Sequence, residues 1–157
     1  MKVMQSTLSF TKLLSQGALL LFGASLATMV LAQEAQKVEV YKSPTCGCCS
    51  LWVEHMKKSG FNVEIHEVRD VTPFRQRFGV PDAMTSCHTA VVGGYAIEGH
   101  VPAADIKRLL REKPKAAGLA VPGMVQGSPG MEQGQGKDPY NTVLFSADGK
   151  SSTFARH

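Results

Sequence analysis

Three of the four cysteines in this 157-residue chain fall within four positions: Cys46, Cys48 and Cys49, in the stretch PTCGCCSLW. Adjacent cysteines make a poor structural disulfide, because the peptide between them strains the sulfur–sulfur geometry. Crowding of this kind suits reactivity or a soft metal. Any fold the chain adopts has to present these thiols together, so the flanking pattern decides what they face.

Residues 37–42, KVEVYK, alternate like a half-buried strand with Val38 and Val40 on one face. SPT breaks the strand, and Thr45 is placed to cap a helix that opens at the cysteines. Trp52, Val53 and Met56 form the apolar stripe of that helix, Trp52 reads as core, and Gly60 is its stop. FNVEIHEV, 61–68, alternates again, with Phe61, Val63 and Ile65 opposed to Asn62, Glu64 and His66. TPFRQRFGV reads as a short helix with Pro73 in its first turn and Gly79 at its end. TAVVGG and YAIEGH are two strands joined through Gly93-Gly94, a strong hairpin signal. VPAADIKRLLREKP is a helix opened by Pro102, with Ala103, Ile106, Leu109 and Leu110 on its apolar face. The order β-α-β-α-β-β-α predicts an α/β protein with a mixed α+β sheet of thioredoxin-like type. Residues 118–140, rich in Gly, Pro and Met, are expected to be irregular, and 141–157 to close the chain as a hairpin about Asp148-Gly149.

Residues 1–32 stand apart from this pattern. Lys2 and Lys12 precede an uncharged apolar run that ends in Val30-Leu31-Ala32 before the polar QEAQ. This is the layout of a secretory signal peptide cleaved after Ala32, and it is favoured over an uncleaved anchor because Ser15, Gln16, Ser25 and Thr28 interrupt the run. Residues 33–157 are then expected to form one domain in the periplasm, without a membrane segment. The net charge of +4 falls to about +2 once Lys2 and Lys12 leave, and no basic tract interleaved with aromatics remains, which excludes nucleic acid as an expected partner.

At the start of a helix, backbone N–H groups and the macrodipole favour a thiolate. Cys46 and Cys49 have the spacing of a redox C-x-x-C pair, with Cys48 an addition to it. The fourth cysteine lies in TSCHTA, and in the expected fold its loop faces the helix that carries the other three. Cys46, Cys48, Cys49 and Cys87 therefore converge as candidate metal ligands, with His88 beside them as a peripheral candidate. Vicinal Cys48 and Cys49 sit awkwardly on one tetrahedral zinc, whereas Cu(I) accepts two or three soft ligands and can be bridged into clusters. Copper is thus expected before zinc, as Cu(I) with Cu(II) as its oxidised counterpart. Met124 and Met131, in the pieces VPGM and SPGM, are further peripheral candidates because a thioether is also a soft ligand; they serve equally well as packing for the tail. His55 is expected on the surface, His66 pointing out of its strand and His100 near the start of the last helix, while His157 carries no signal. Two readings compete: a thiol–disulfide oxidoreductase acting through Cys46 and Cys49, and a small module held by two structural disulfides.

The motifs YKSPTCGCCSLW, GVPDAMTSCHTAVVGGYAIEGHVPAADIKRLL, GLAVPGM, GSPGME and YNTVLF…ARH together resemble the exported bacterial copper-resistance proteins of the CopG type, a family formerly grouped as a domain of unknown function. The resemblance implies a thioredoxin-like fold, copper held by Cys46, Cys48, Cys49 and Cys87, and a part in periplasmic copper homeostasis. Expected partners are copper ions, other copper-handling proteins of that compartment and an electron donor.

Overall fold

Val38 and Val40 alternate with polar neighbours, and both are fully buried in strand β1 (Lys37–Lys42). The computed structural model describes residues 35–134 and 136–157, so the expected leader over 1–32 lies outside the described residues. After β1 come α1 (Gly47–Lys58), β2 (Asn62–Glu67), α2 (Thr72–Arg77), a 3-10 turn (Asp82–Met84), β3 (His88–Val92), β4 (Tyr95–Glu98) and α3 (Ala103–Glu112). Three further strands follow: β5 (Gly118–Ala120), β6 (Asn141–Phe145) and β7 (Ser151–Arg156). The result is a mixed α/β structure on one seven-stranded sheet in the order β2-β1-β3-β4-β5-β6-β7. β2 is parallel to β1 and β5 to β4, and the other neighbouring pairs are antiparallel.

Side-chain alternation sorts the two faces. Val38, Val40, Ala90, Val92, Ile97 and Leu119 meet Trp52, Val53 and Met56 of α1 and Ile106 and Leu109 of α3 in the larger core. The indole N–H of Trp52 donates to the Val101 carbonyl at 2.9 Å, which satisfies the one polar atom of a fully buried ring. Ala96, Ala120 and Phe145 pack on the other face against Phe78, Val80 and Met84, on and beyond the end of α2. Tyr41 also faces that side and stacks on Phe74 at 4.1 Å between ring centroids.

Two expectations change. β5 lies inside the stretch expected to be irregular; three apolar residues are too few to give a period, and Gly118 is needed because a Cβ there would overlap the Ala96 carbonyl oxygen. Ile65, expected in the core, is 42% exposed because β2 is the edge of the sheet. Lys37 spans that edge to Glu64 at 2.7 Å, and charge along an edge strand discourages pairing with other chains. At the other end of the molecule, Asp105 of α3 accepts from the Thr142 hydroxyl at 2.6 Å and meets His157 Nε2 at 2.9 Å, tying the final hairpin to the helix. No helix of the described residues is long and apolar enough to cross a membrane.

His55 departs from its expected surface position. It is half-buried, and its Nε2 accepts the Ala103 N–H at 3.1 Å. That N–H is one of the unpartnered donors in the first turn of α3, where Pro102 offers no side-chain cap. Burial pushes the His55 imidazole below its ordinary value of 6.5, with Glu132 pulling weakly the other way. A base depressed in this way contributes stability that is present above its unfolded pKa and lost as pH falls through the folded one. The unfolding free energy should therefore decline below about pH 6.5, and His55→Ala should remove part of that dependence together with about 1 kcal/mol of hydrogen bonding. Urea unfolding on both sides of that pH checks both effects.

Candidate metal centre

In the antiparallel pairing of β3 with β1, Lys42 lies opposite His88. The residue before β3 is Cys87, so this register sets it beside the loop that leads from β1 into α1. β4 pairs back onto β3 with Thr89 opposite Glu98, which returns Gly99 and His100 to the same end of the sheet. β5 runs parallel to β4 with Glu98 opposite Ala120, and delivers the chain toward Met124 at that end as well. Four strand ends thus meet over the N-terminus of α1.

Cys46, rather than the expected Thr45, caps α1: its Sγ accepts the Cys49 N–H at 3.3 Å. Cys46 and Cys49 are joined as a disulfide, while Cys48 and Cys87 are free. Two structural disulfides are therefore not what the chain forms. The Cys48 sulfur lies 3.6 Å from that of Cys46, and the Cys49 sulfur 3.8 Å from the Cys87 carbonyl oxygen. All four sulfurs sit within 4.8 Å of one another. Thiolates at ~2.3 Å from a tetrahedral ion stand ~3.8 Å apart, so the four are spaced for a thiolate-held metal once the disulfide is reduced.

The Cys87 loop is held from below. Glu98, fully buried at the end of β4, accepts from Arg75 Nε at 2.8 Å, from the Ser86 N–H at 2.7 Å and from the Thr89 hydroxyl at 2.6 Å. Arg75 reaches over from α2 and also donates to the Ser86 carbonyl. Burial raises the Glu98 carboxyl, opposed by Thr89, Ser86 and Arg75.

Two histidines complete the group. His88, expected at the periphery, is fully buried under the centre, with Nδ1 3.4 Å from the Cys87 sulfur and its ring 4.5 Å from that of Trp52. His100, expected at the start of the last helix, is also fully buried and points inward, with Nε2 3.0 Å from the same sulfur. Its Nδ1 lies 2.8 Å from the Pro129 carbonyl oxygen and donates to it, which leaves the Nε2 lone pair facing Cys87. The hairpin carried the signal for His100: extending the Thr89–Glu98 pairing outward sets Gly99 against His88 and His100 against Cys87. Burial and the neighbouring Cys48 push the Cys87 thiol up to about 12. Burial lowers His88 well below its ordinary value and also lowers His100, the latter against the pull of the Pro129 carbonyl. The metal-free site at neutral pH thus holds a protonated Cys87 beside two uncharged imidazoles. The thiolate expected of a cysteine at the helix start does not extend to Cys87, which enters from β3.

Met124, 61% exposed, and Met131, half-buried, line one cleft of about 540 Å³ with Gly47, Cys48, Leu51, Gly130 and Gln133. The tail is held there by close backbone contact. Gly130 has φ +86, and a Cβ on it would stand 2.7 Å from the Trp52 nitrogen and 2.8 Å from the Cys48 carbonyl oxygen.

Two substitutions test this framework. Arg75→Ala strips the cation from a buried carboxylate and should cost about 3–5 kcal/mol in urea unfolding. Gly130→Ala should cost about 1–3 kcal/mol through overpacking, and should free the His100 imidazole from the Pro129 carbonyl, visible as a shift of its ring resonances by NMR.

A family model described as a protein of unknown function, DUF411, matches residues 84–131, the span that holds Cys87, His88, His100, Met124 and Met131. Nothing among curated proteins matches the chain. Among solved structures, form 2 of copper resistance protein copG is similar at 44% identity with a TM-score of 0.75, over 79% of this chain and 99% of that one. Form 1 is similar at 44% identity with a TM-score of 0.74, over 79% of this chain and 98% of that one.

Proposed function

This chain belongs to the copper resistance protein CopG family, and from that premise we propose that it binds copper on the sulfurs of Cys46, Cys48, Cys49 and Cys87. The observation that carries the reading is the gathering of all four sulfurs within 4.8 Å at the start of α1. Soft thiolates in this number favour Cu(I) over zinc, and vicinal Cys48 and Cys49 suit bridged ions better than one tetrahedral ion. The strand order β2-β1-β3-β4 with α1, α2 and α3 in sequence supports a thioredoxin-like reading of the domain over 33–157. The basic and apolar leader over 1–32 supports export to the periplasm, where copper resistance would be exercised. Met124 and Met131, beside Cys48 in its cleft, would serve as a soft path for the incoming ion.

The disulfide gives this centre a redox partner within the chain. When the thiolates of Cys46 and Cys49 join, two electrons leave sulfur and two Cu(II) become two Cu(I); the reverse step opens the bond. In this way the centre would interconvert the oxidation states of its cargo, with an outside electron donor or acceptor to reset it. The same disulfide favours a second reading, thiol–disulfide exchange with another protein, in which copper is incidental.

Anaerobic titration of the reduced mature protein with Cu(I), against a colour-forming chelator and with zinc in parallel, separates the two. More than one Cu(I) per chain, held against zinc and lost when all four cysteines become serine, is the expected result. Equal competition by the fourfold serine variant would sink the copper assignment, and turnover of a glutathione or insulin disulfide by metal-free protein would establish the exchange reading.

A further inference from the structure

Away from the sulfurs, a cleft of about 650 Å³ opens between α3 and the residues leading into β1. Phe61, buried, and Leu110, half-buried, form its apolar floor, and the exposed side chains of Lys107, Arg111 and Lys113 stand around it. No carboxylate of the described residues lines it, and none of the three cations has an ion-pair partner among those residues. Lys107 Nζ lies 5.7 Å from the centre of the Phe61 ring. Glu112, the acid nearest in sequence, is taken by Arg108 at 3.4 Å. Lys107 and Arg111 are one helical turn apart, and like charges at that spacing weaken a helix. Arg111 and Lys113 lie at the end of α3, where the macrodipole favours a cation, but Lys107 stands mid-helix and gains nothing from it. A cationic cluster that disfavours its own helix calls for an anion from outside.

We propose that this face docks on an anionic phospholipid surface, with Lys107, Arg111 and Lys113 at the headgroup phosphates. Two observations choose that occupant. Cations around an apolar floor complement a layer of phosphodiesters over hydrocarbon. Ala35 and Gln36 line the same cleft, and the expected leader ends at Ala32. Three residues, at most ~11 Å of chain, therefore join the apolar run to this face, and a bilayer that holds the run has its headgroups within that reach. Docking here also sets an orientation. Gln36 and the Gly93-Gly94 turn lie at one end of β1, β3 and β4, whereas Cys46, Cys87 and His100 lie beyond the other. The strand between spans ~20 Å, so the sulfur-bearing end is turned away from the lipid and stays open. The inference goes beyond the copper reading and does not rest on it.

Co-sedimentation with vesicles tests the docking face. The mature protein is used, because an attached leader would enter a bilayer by itself. It should bind vesicles of phosphatidylglycerol and phosphatidylcholine in equal parts, ignore phosphatidylcholine alone, and dissociate as salt is raised. Each basic residue at such a surface strengthens binding about fivefold, so the double variant Lys107→Gln, Arg111→Gln should bind about 25-fold more weakly. Both side chains are exposed, and circular dichroism should show that the variant stays folded. The control, Arg69→Gln with Arg156→Gln, removes the same charge from exposed positions at the other end of the strands and should bind as before. No binding to the mixed vesicles, or equal losses in the two double variants, would overturn the proposal. Retention on immobilised poly-glutamate without retention on vesicles would overturn it too, and give the face to an acidic protein. Cu(I) uptake, measured with and without vesicles, should not change; its failure in both leaves the lipid result standing, and loss of vesicle binding leaves the copper centre standing.

Discussion

Lys42 faces His88 across the antiparallel pairing of β1 and β3, and nearly everything at the sulfur-rich end of the molecule depends on that register. A slip of one residue would turn His88 and Ala90 to the opposite face and carry Cys87 away from α1. The register is secured by burial on both sides: Val40 sits against Ala90 and Val38 against Val92 at the centre of the larger core. The hairpin through Gly93-Gly94, both at positive φ, then fixes β4 in the same frame and with it His100. Chemistry at this site is therefore specified by aliphatic residues that never touch it.

A second layer of support is polar. Glu98 is a buried charge with partners at each oxygen, drawn from α2, from β3 and from the Ser86 backbone. Buried pairs of this sort contribute little net stability compared with an apolar replacement, since desolvation offsets their attraction. Their value lies in geometry: Ser86, next to Cys87, is fixed by its N–H and its carbonyl at once. On the opposite wall, Ser128, Pro129 and Gly130 are buried without regular structure, and Gly130 stands directly against the backbone of α1.

Much of this was legible from residue patterns. Alternation gave β1 and β2, the Gly93-Gly94 turn gave β3 and β4, helical spacing gave the buried stripe of Trp52, Val53 and Met56, and Asp148-Gly149 marked the last turn. The crowding of Cys46, Cys48 and Cys49, with Cys87 ahead of a strand, indicated the site itself. What escaped depends on contacts between distant segments, which carry no local period. β5 is three residues long and is defined by its neighbours β4 and β6. His55 gains its role from α3, 48 positions away, and His100 from Pro129, 29 positions away. The cap at Cys46 is local, but sulfur is an unusual capping atom and Thr45 is the commoner choice.

The spacing of the cysteines along the chain also bears on how they first meet. Cys46 and Cys49 are three positions apart, while Cys49 and Cys87 are 38 apart. Closing a loop costs more entropy as it lengthens, by about 0.6 kcal/mol per doubling. In a still unfolded chain the local pair therefore encounters itself far more often than either member encounters Cys87. Oxidation before folding is thereby confined to the local group of Cys46, Cys48 and Cys49, and Cys87 arrives later as a free thiol, carried in on β3. Distance along the chain thus keeps the sulfur of Cys87 out of early pairing, although the finished fold sets it against the other three.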